Sequence, residues 1–439
     1  MPDKDVALRR VLFASVIGTV IEWYDFFLYA AAVGLVISAA FFPANDPTVG
    51  TLIALSTLAV GFVARPLGAI IFGHLGDKIG RKPLLVITLT IMGSATLITG
   101  LLPTYAQIGT LAPIILVIVR IVQGIAVGGE YGGAVLMILE HKSGSNRRGF
   151  LGSIPNACAS AGFLLASGSL AVISYLTTED QFQRWGWRIP FVASVALIVV
   201  GFYIRRRVEE SPAFTASQKT APAVRVPLFE IFSRYPKQVL VSIGVPASTA
   251  VAYNLVLVFL VPYAKGLGVS AGDLLTVTTS AQMVYIPLLL SWGYLSDRLG
   301  RSVPMAFGMI GVAVWAVPFF LLVNTDSPIW IFVAVAGALF FVSAMYGPQA
   351  AFLAELFPTE VRYSGISFGY QLVFAVAGGT TPMIAVGLTS ATDSWFPAAA
   401  LFTLGAAISL SALFFRRTIG APAITNRTVD EGHEKVGAD

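Results

Sequence analysis

Charge is scarce in this sequence. Asp, Glu, Lys and Arg make up 12% of its 439 residues, about half the share of an ordinary soluble domain, too few to clothe a globule of this size in water. Cysteine occurs once, as Cys158 inside an apolar run, so an intrachain disulfide is excluded. Of the three histidines, His74 and His141 stand at the edges of apolar runs, away from carboxylate clusters, and no metal site is expected. No segment matches the G-x-x-x-x-G-K-[ST] phosphate loop, which argues against ATP as an energy source. No nucleophile–base constellation argues for an enzyme.

Apolar residues fill the space that charge leaves. They are 56% of the chain, and mean hydropathy is +0.80. A helix needs about 20 apolar residues to cross a bilayer. Twelve runs qualify: 11–42, 51–75, 84–103, 112–140, 149–177, 188–208, 238–264, 274–296, 303–323, 328–355, 363–390 and 395–415. The first is too long for a cleaved signal and carries Glu22 and Asp25. With both termini inside, the inner segments hold 23 of the 28 Lys and Arg residues, and the outer loops only Arg184, Arg188 and Lys265. The positive-inside rule therefore selects an N-in, C-in topology. The net charge of +5 then reflects loops facing an anionic leaflet rather than nucleic acid. The expected organisation is a six-helix bundle over 1–208, a cytoplasmic linker over 209–237, a second six-helix bundle over 238–417 and a short polar tail over 418–439.

The two halves repeat each other. Residues 73–82 read GHLGDKIGRK and 293–302 read GYLSDRLGRS, so Gly73, Asp77, Gly80 and Arg81 recur as Gly293, Asp297, Gly300 and Arg301. Glu140 and Arg147 follow run four at the same separation as Glu355 and Arg362 follow run ten. Such a repeat between apolar spans marks a transporter built from two similar bundles rather than a channel.

Five charged residues lie well inside the spans: Glu22, Asp25, Arg65, Arg120 and Glu130. An intramembrane charge costs several kcal/mol and is a functional candidate by default, the alternative being a salt bridge that fixes packing. At about 1.5 Å per helical residue, Asp25, Arg65 and Glu130 fall at one depth and Arg120 lies nearer the outer mouth. This predicts an Arg65–Glu130 pair and leaves Arg120 free to bind a carboxylate, since its planar fork can donate two hydrogen bonds. Three carboxylates against two guanidiniums leave one negative charge over. Desolvation favours the neutral acid, so one carboxyl can carry a proton: Asp25 first, with Glu130 as alternative and Glu22 one turn from Asp25. Gly124 and Gly128 follow Arg120 at helical spacing and suit close packing. The second half offers neutral polar and aromatic residues within its spans: Tyr253, Asn254, Gln282, Tyr285, Tyr346, Gln349, Tyr370 and Gln371. Each serves either substrate or helix packing. Tyr253, Asn254 and Gln371 rank first for substrate, joined in the first half by Arg120, Arg65, Tyr29, Gln123 and Tyr131.

GHLGDKIGRK resembles the loop signature of the major facilitator superfamily, and RIVQGIAVGG resembles its fourth-helix pattern. EWYDFFLY (22–29), ARPLGAIIFG (64–73), GGEYGG (128–133), WGWRIPF (185–191) and RYSGISFGYQ (362–371) are similar to the metabolite:proton symporter family, which includes shikimate, α-ketoglutarate, citrate and proline/betaine permeases. TTEDQFQRWGWRIPF looks nearest to shikimate-permease-like members. The resemblance covers about residues 10–415. It implies an all-α membrane protein of twelve transmembrane helices in two pseudo-symmetric bundles. It also implies a latch at the cytoplasmic face, built from Gly73, Asp77, Gly80, Arg81, Asp297, Arg301, Glu140, Arg147, Glu355 and Arg362, that holds the halves together. The tail lacks the coiled coil of the osmosensing carriers, and GSIPNACASAG lacks the helix-five motif of drug antiporters. The expectation is a proton-coupled importer of a small organic acid. It would be monomeric in the inner membrane and need no cofactor beyond the proton gradient, with protons, substrate and lipid as partners and no nucleic acid. The alternatives are uptake of a zwitterionic osmolyte such as proline or glycine betaine, and a non-transporting receptor.

Overall fold

The computed structural model describes residues 2–44, 47–79, 81–128, 135–136, 138–139, 147–206, 227–358 and 361–418, without the side chains of 2–15, 22, 47, 73–79, 81–85, 204–206, 227–230 and 363. Among the described residues the regular structure is all helical. The main helices are α1 (Pro2–Ala32), α2 (Pro47–Ile79), α3 (Arg81–Leu101), α4 (Leu111–Val127), α5 (Arg148–Leu176) and α6 (Arg188–Arg206). They continue as α7 (Pro236–Gly266), α8 (Ala271–Leu299), α9 (Ser302–Val323), α10 (Pro328–Leu356), α11 (Ser364–Thr392) and α12 (Phe396–Phe415). Each overlaps one of the twelve apolar runs. Nine candidate spans among the described residues are long and apolar enough to cross a membrane, and a tenth if α6 is joined to the short bent segment before it. The apolar stretches of α3 and α4 (Val86–Leu101 and Leu111–Val127) are shorter.

The exterior of the bundle is greasy in a way water would punish. On α9, Ile310, Val314, Val317 and Leu321 form an exposed stripe at helical spacing, and Val63, Leu67 and Ile70 do the same on α2. A continuous apolar exterior of this kind suits a bilayer.

The pairing of helices obeys a rule. In the first half α1 packs on α5, α2 on α4, α3 on α4 and α3 on α6. In the second half α7 packs on α11, α8 on α10, α9 on α10 and α9 on α12. A shift of six helices converts one set into the other. The main contacts between halves, α5 with α8 and α2 with α11, exchange under the same shift. That is pseudo-two-fold symmetry, and it places the interface between related surfaces.

Among the described residues, three of the nine candidate spans carry a π turn. α1 runs into a π turn at Val33–Ile37, α7 contains one at Leu255–Phe259, and α11 one at Phe374–Gly378. α7 is also interrupted before Ala247, where Pro246 cannot donate to the helical ladder. α8 ends sharply at Gly300, whose φ of 83° favours glycine. The expected linker is not wholly irregular: Pro227–Arg234 is helical. Ile231 of that helix is buried and the Phe232 ring sits 5.0 Å from Phe368 of α11, so its apolar side docks on the second half.

Candidate functional site

The buried arginines are set by a close crossing of α2 and α4. A Cβ on Gly124 would lie 2.0 Å from the Gly61 carbonyl oxygen, and one on Gly128 would lie 1.9 Å from that of Arg65. Only glycine lets the backbones approach this far, so both glycines serve packing. The consequence is that Arg65 and Arg120 line one small cavity of about 20 Å³ with Phe26, Leu58 and Gln123. That volume holds about one water, too little for a metabolite in this conformation.

Arg120 is held from several sides. Its Nη2 donates to Thr99 Oγ1 at 2.9 Å and its Nη1 donates to Gln123 Oε1. Gln123 Nε2 in turn donates to Thr96 Oγ1 at 3.2 Å. The guanidinium carbon lies 3.5 Å from the centre of the Tyr29 ring, and the Tyr29 hydroxyl bonds to Thr57. Asp25 is 1% exposed, with Thr96 and Arg120 as its polar neighbours, Thr96 close enough to act on its carboxyl, but among the described residues no donor meets either carboxylate oxygen in hydrogen-bond geometry. Arg65 is buried among rings, 4.3 Å from Phe62, 4.8 Å from Phe26 and 5.9 Å from Trp23.

This corrects the depths read from the sequence. The crossing of α2 and α4 keeps Arg120 about two turns from Arg65, as counted, but Asp25 is the electrostatic neighbour of Arg120. Helix ends do not lie in one plane, the π turn shortens α1, and an arginine side chain is long, so residue counts from the ends misjudge the level. Arg120 is not free of partners either. Thr96, Thr99 and Thr57 gave no sequence signal, because a threonine inside a span can satisfy itself on a preceding carbonyl, as Thr99 does on Ala95 at 2.9 Å.

In the second half Tyr253 is a hub. Its hydroxyl accepts from Gln282 Nε2 at 3.3 Å, and its ring neighbours Tyr285 at 5.9 Å, Tyr346 at 6.4 Å and Phe27 of α1 at 5.9 Å. Asn254 Nδ2 donates to the Ala250 carbonyl at 2.9 Å, a packing role. Gln371 Nε2 reaches the Gly128 carbonyl of the other half at 3.4 Å.

The repeated loop motif closes one end of the interface. Asp297 Oδ1 accepts from the Gly149 N–H at 2.7 Å and Oδ2 from the Phe150 N–H at 3.0 Å, so a carboxylate of α8 caps the N-terminus of α5. Arg301 pairs with Asp297 at 2.7 Å and with Glu355 at 3.3 Å. A Cβ on Gly149 would meet Ser296, Arg301 and Gly293 within 2.4 Å. Arg362 Nε donates to the Phe357 carbonyl at 3.2 Å. At the other end, Lys265 Nζ of α7 donates to the Leu35 carbonyl in the π turn of α1 at 3.1 Å. The halves therefore touch at both ends. Arg147 lies just before α5 and is engaged. Glu130, Tyr131, Gly80 and Glu140 lie outside the described residues. Gly73 and Asp77 fall on α2, Arg81 on α3 and Glu22 on α1, with the Asp77, Arg81 and Glu22 side chains outside the description. Among the described residues no group of three or more His, Cys, Asp or Glu could hold a metal.

Comparison with known proteins places this geometry. The model of the Major Facilitator Superfamily matches residues 15–382 and, again, 247–435. The chain is 37% identical over 386 residues to the inner membrane metabolite transport protein YhjE of Escherichia coli, covering 87% of this chain and 88% of that one. It is 36% identical over 406 residues to the shikimate transporter of the same organism, covering 91% and 92%. It is 34% identical over 430 residues to the E. coli proline/betaine transporter, covering 95% and 85%. A crystal structure of a D-xylose–proton symporter shares the fold, with a TM-score of 0.73 at 19% identity over 94% of this chain and 98% of the other. The repeated halves, the capped α5 and these matches agree: the chain belongs to the major facilitator superfamily.

Proposed function

We propose that this protein is a proton-coupled symporter that imports a small hydroxylated carboxylate by alternating access. The observation that carries the reading is Asp25. A carboxylate buried to 1% exposure, with both oxygens unpartnered among the described residues, is costlier charged than protonated. It faces Arg120, the group suited to a substrate carboxylate. Proton and anion thus meet at neighbouring side chains: protonation of Asp25 removes a negative charge that competes with a substrate carboxylate for Arg120, and substrate release restores the attraction of Arg120 for the ionised Asp25. The pairing of Arg65 with Glu130 expected from the sequence goes with this reading, Glu130 lying outside the described residues.

The topology that goes with this reading has twelve spans, both termini inside, and bundles over 1–208 and 238–417 joined by a cytoplasmic linker. The protein works as a monomer in the inner membrane and draws on the proton gradient without a cofactor. The Asp297 end faces the cytoplasm, where Asp77 and Arg81 provide the symmetry-related half of the latch. A zwitterionic osmolyte is the second reading, supported by the similarity to a proline/betaine transporter. Uptake of labelled shikimate, proline and glycine betaine into proteoliposomes under an inward proton gradient separates the two. Shikimate accumulation that a protonophore abolishes supports the first, and accumulation of betaine alone replaces it with the second.

A further inference from the structure

Orphaned polar atoms are concentrated around Tyr253. Gln282 Oε1, the Tyr285 hydroxyl and Gln349 Nε2 are buried and have no hydrogen-bond partner among the described residues; all three residues are 0% exposed. They are linked through Tyr253 and its helix. Gln282 and Tyr285 are one turn apart on α8. Gln282 donates to the Tyr253 hydroxyl, and the Tyr253 and Tyr285 rings are 5.9 Å apart. Gln349 lies one turn beyond Tyr346 on α10, and its Oε1 accepts from Thr249 Oγ1, one turn before Tyr253 on α7, at 2.9 Å. Turning either amide leaves one of its ends unmade, so the deficit does not depend on which end is called oxygen.

Buried polar groups are satisfied almost everywhere in folded proteins, and a cluster of exceptions calls for a partner. This one lies at the interface between halves. Tyr253 touches Phe27 of α1 and has Ser160 of α5 as a polar neighbour. Tyr346, which borders the cluster, is an electrostatic neighbour of Arg65. The missing partner must form hydrogen bonds whichever way each amide is turned; as oriented here, Gln282 offers an acceptor, Gln349 a donor and Tyr285 either. Adjacent hydroxyl groups on a ring meet that demand. A quaternary ammonium meets none of it, having no proton to donate.

We propose that Gln282, Tyr285 and Gln349 form a hydroxyl-recognising subsite that selects a polyhydroxylated substrate over a deoxygenated or quaternary-ammonium one. The sequence ranked Tyr253, Asn254 and Gln371 above these three. The inference rests on the proposed carboxylate transport for the other end of the substrate, and the test separates the two. KM is measured for shikimate, which carries three hydroxyls, and for cyclohex-1-ene-1-carboxylate, which carries none, with myo-inositol, proline and glycine betaine alongside. Wild-type protein is expected to favour shikimate over its deoxy analogue by about 100-fold or more, because a site built to bond a hydroxyl leaves its own groups unpaired when the hydroxyl is missing. Tyr285→Phe and Gln349→Met should each narrow that ratio by about tenfold.

Transport of both carboxylates without preference would overturn the subsite and leave carboxylate transport standing. Uptake of myo-inositol but no carboxylate, weakened by Tyr285→Phe, would support the subsite and refute the carboxylate reading. Uptake of only proline or betaine would overturn both. If none of the probes is carried, the melting temperature of the ligand-free protein decides. Removing an orphaned hydroxyl while keeping the ring should raise it, and a fall in Tyr285→Phe would mean the hydroxyl already has a structural partner and would overturn the proposal.

Discussion

Asp297→Asn should loosen the end of the interface that Asp297 closes. The carboxylate accepts from two consecutive backbone N–H groups at the start of α5, at 2.7 and 3.0 Å, and from Arg301 at 2.7 Å. All its partners are donors. An asparagine keeps one acceptor oxygen and turns an NH₂ group toward a second donor, while the charge that met the positive end of α5 disappears. One charge-assisted bond and the dipole interaction are lost together, about 2–4 kcal/mol from the closed state. At 1.4 kcal/mol per factor of ten, the open population rises by about 30- to 700-fold. Ser153 reports on this. It is buried at the same crossing, and a Cβ on Gly293 would lie 2.6 Å from its Oγ. In a Cys158→Ala background, Ser153→Cys should be alkylated slowly with Asp297 present and at least ten times faster when Asp297→Asn is added. An unchanged alkylation rate, with the protein folded and monodisperse, would refute the latch.

Other consequences follow from the same geometry. Asp25→Asn should abolish accumulation against a gradient while leaving counterflow, because the amide keeps the shape and cannot cycle a proton; accumulation at the wild-type level would move the carrier role to Glu130. Arg120→Lys should raise KM at least tenfold despite the retained charge, since an ammonium cannot reproduce the bonds to Thr99 and Gln123 while presenting a fork to a carboxylate; this is read from initial uptake rates. Gly128→Ala should lower the melting temperature by several degrees, since its Cβ would sit 1.9 Å from the Arg65 carbonyl oxygen and overpacking of this kind costs about 1–3 kcal/mol; an unshifted melting curve would show that α2 and α4 are less tightly crossed.

The architecture was legible because lipid leaves few options. Every backbone group in a span must be satisfied within the protein, so apolar runs become helices, and the duplicated loop motif announces the two-fold relation that the packing of α1–α6 and α7–α12 repeats. Close helix packing at Gly124 and Gly128 was also legible, though not that the partner is α2. What failed was distance. Counting residues separated Asp25 from Arg120, which the structure makes neighbours, since tilt, π turns and side-chain reach are invisible in a count. Thr96 and Thr99 passed unnoticed because threonine is ambivalent inside a membrane. Asn254, ranked high for substrate, bonds its own helix through Nδ2, and Gln282, Tyr285 and Gln349 stand out only when each polar atom's partner is followed in three dimensions.

The central claim is that substrate and proton travel together through a site containing Asp25 and Arg120. The most direct test traps a pH-sensitive dye inside proteoliposomes and imposes an inward gradient of substrate with no proton gradient. The account predicts that shikimate acidifies the lumen in step with its own entry, and that Asp25→Asn abolishes the acidification while exchange of labelled substrate continues. Entry of substrate with no change in luminal pH would contradict it.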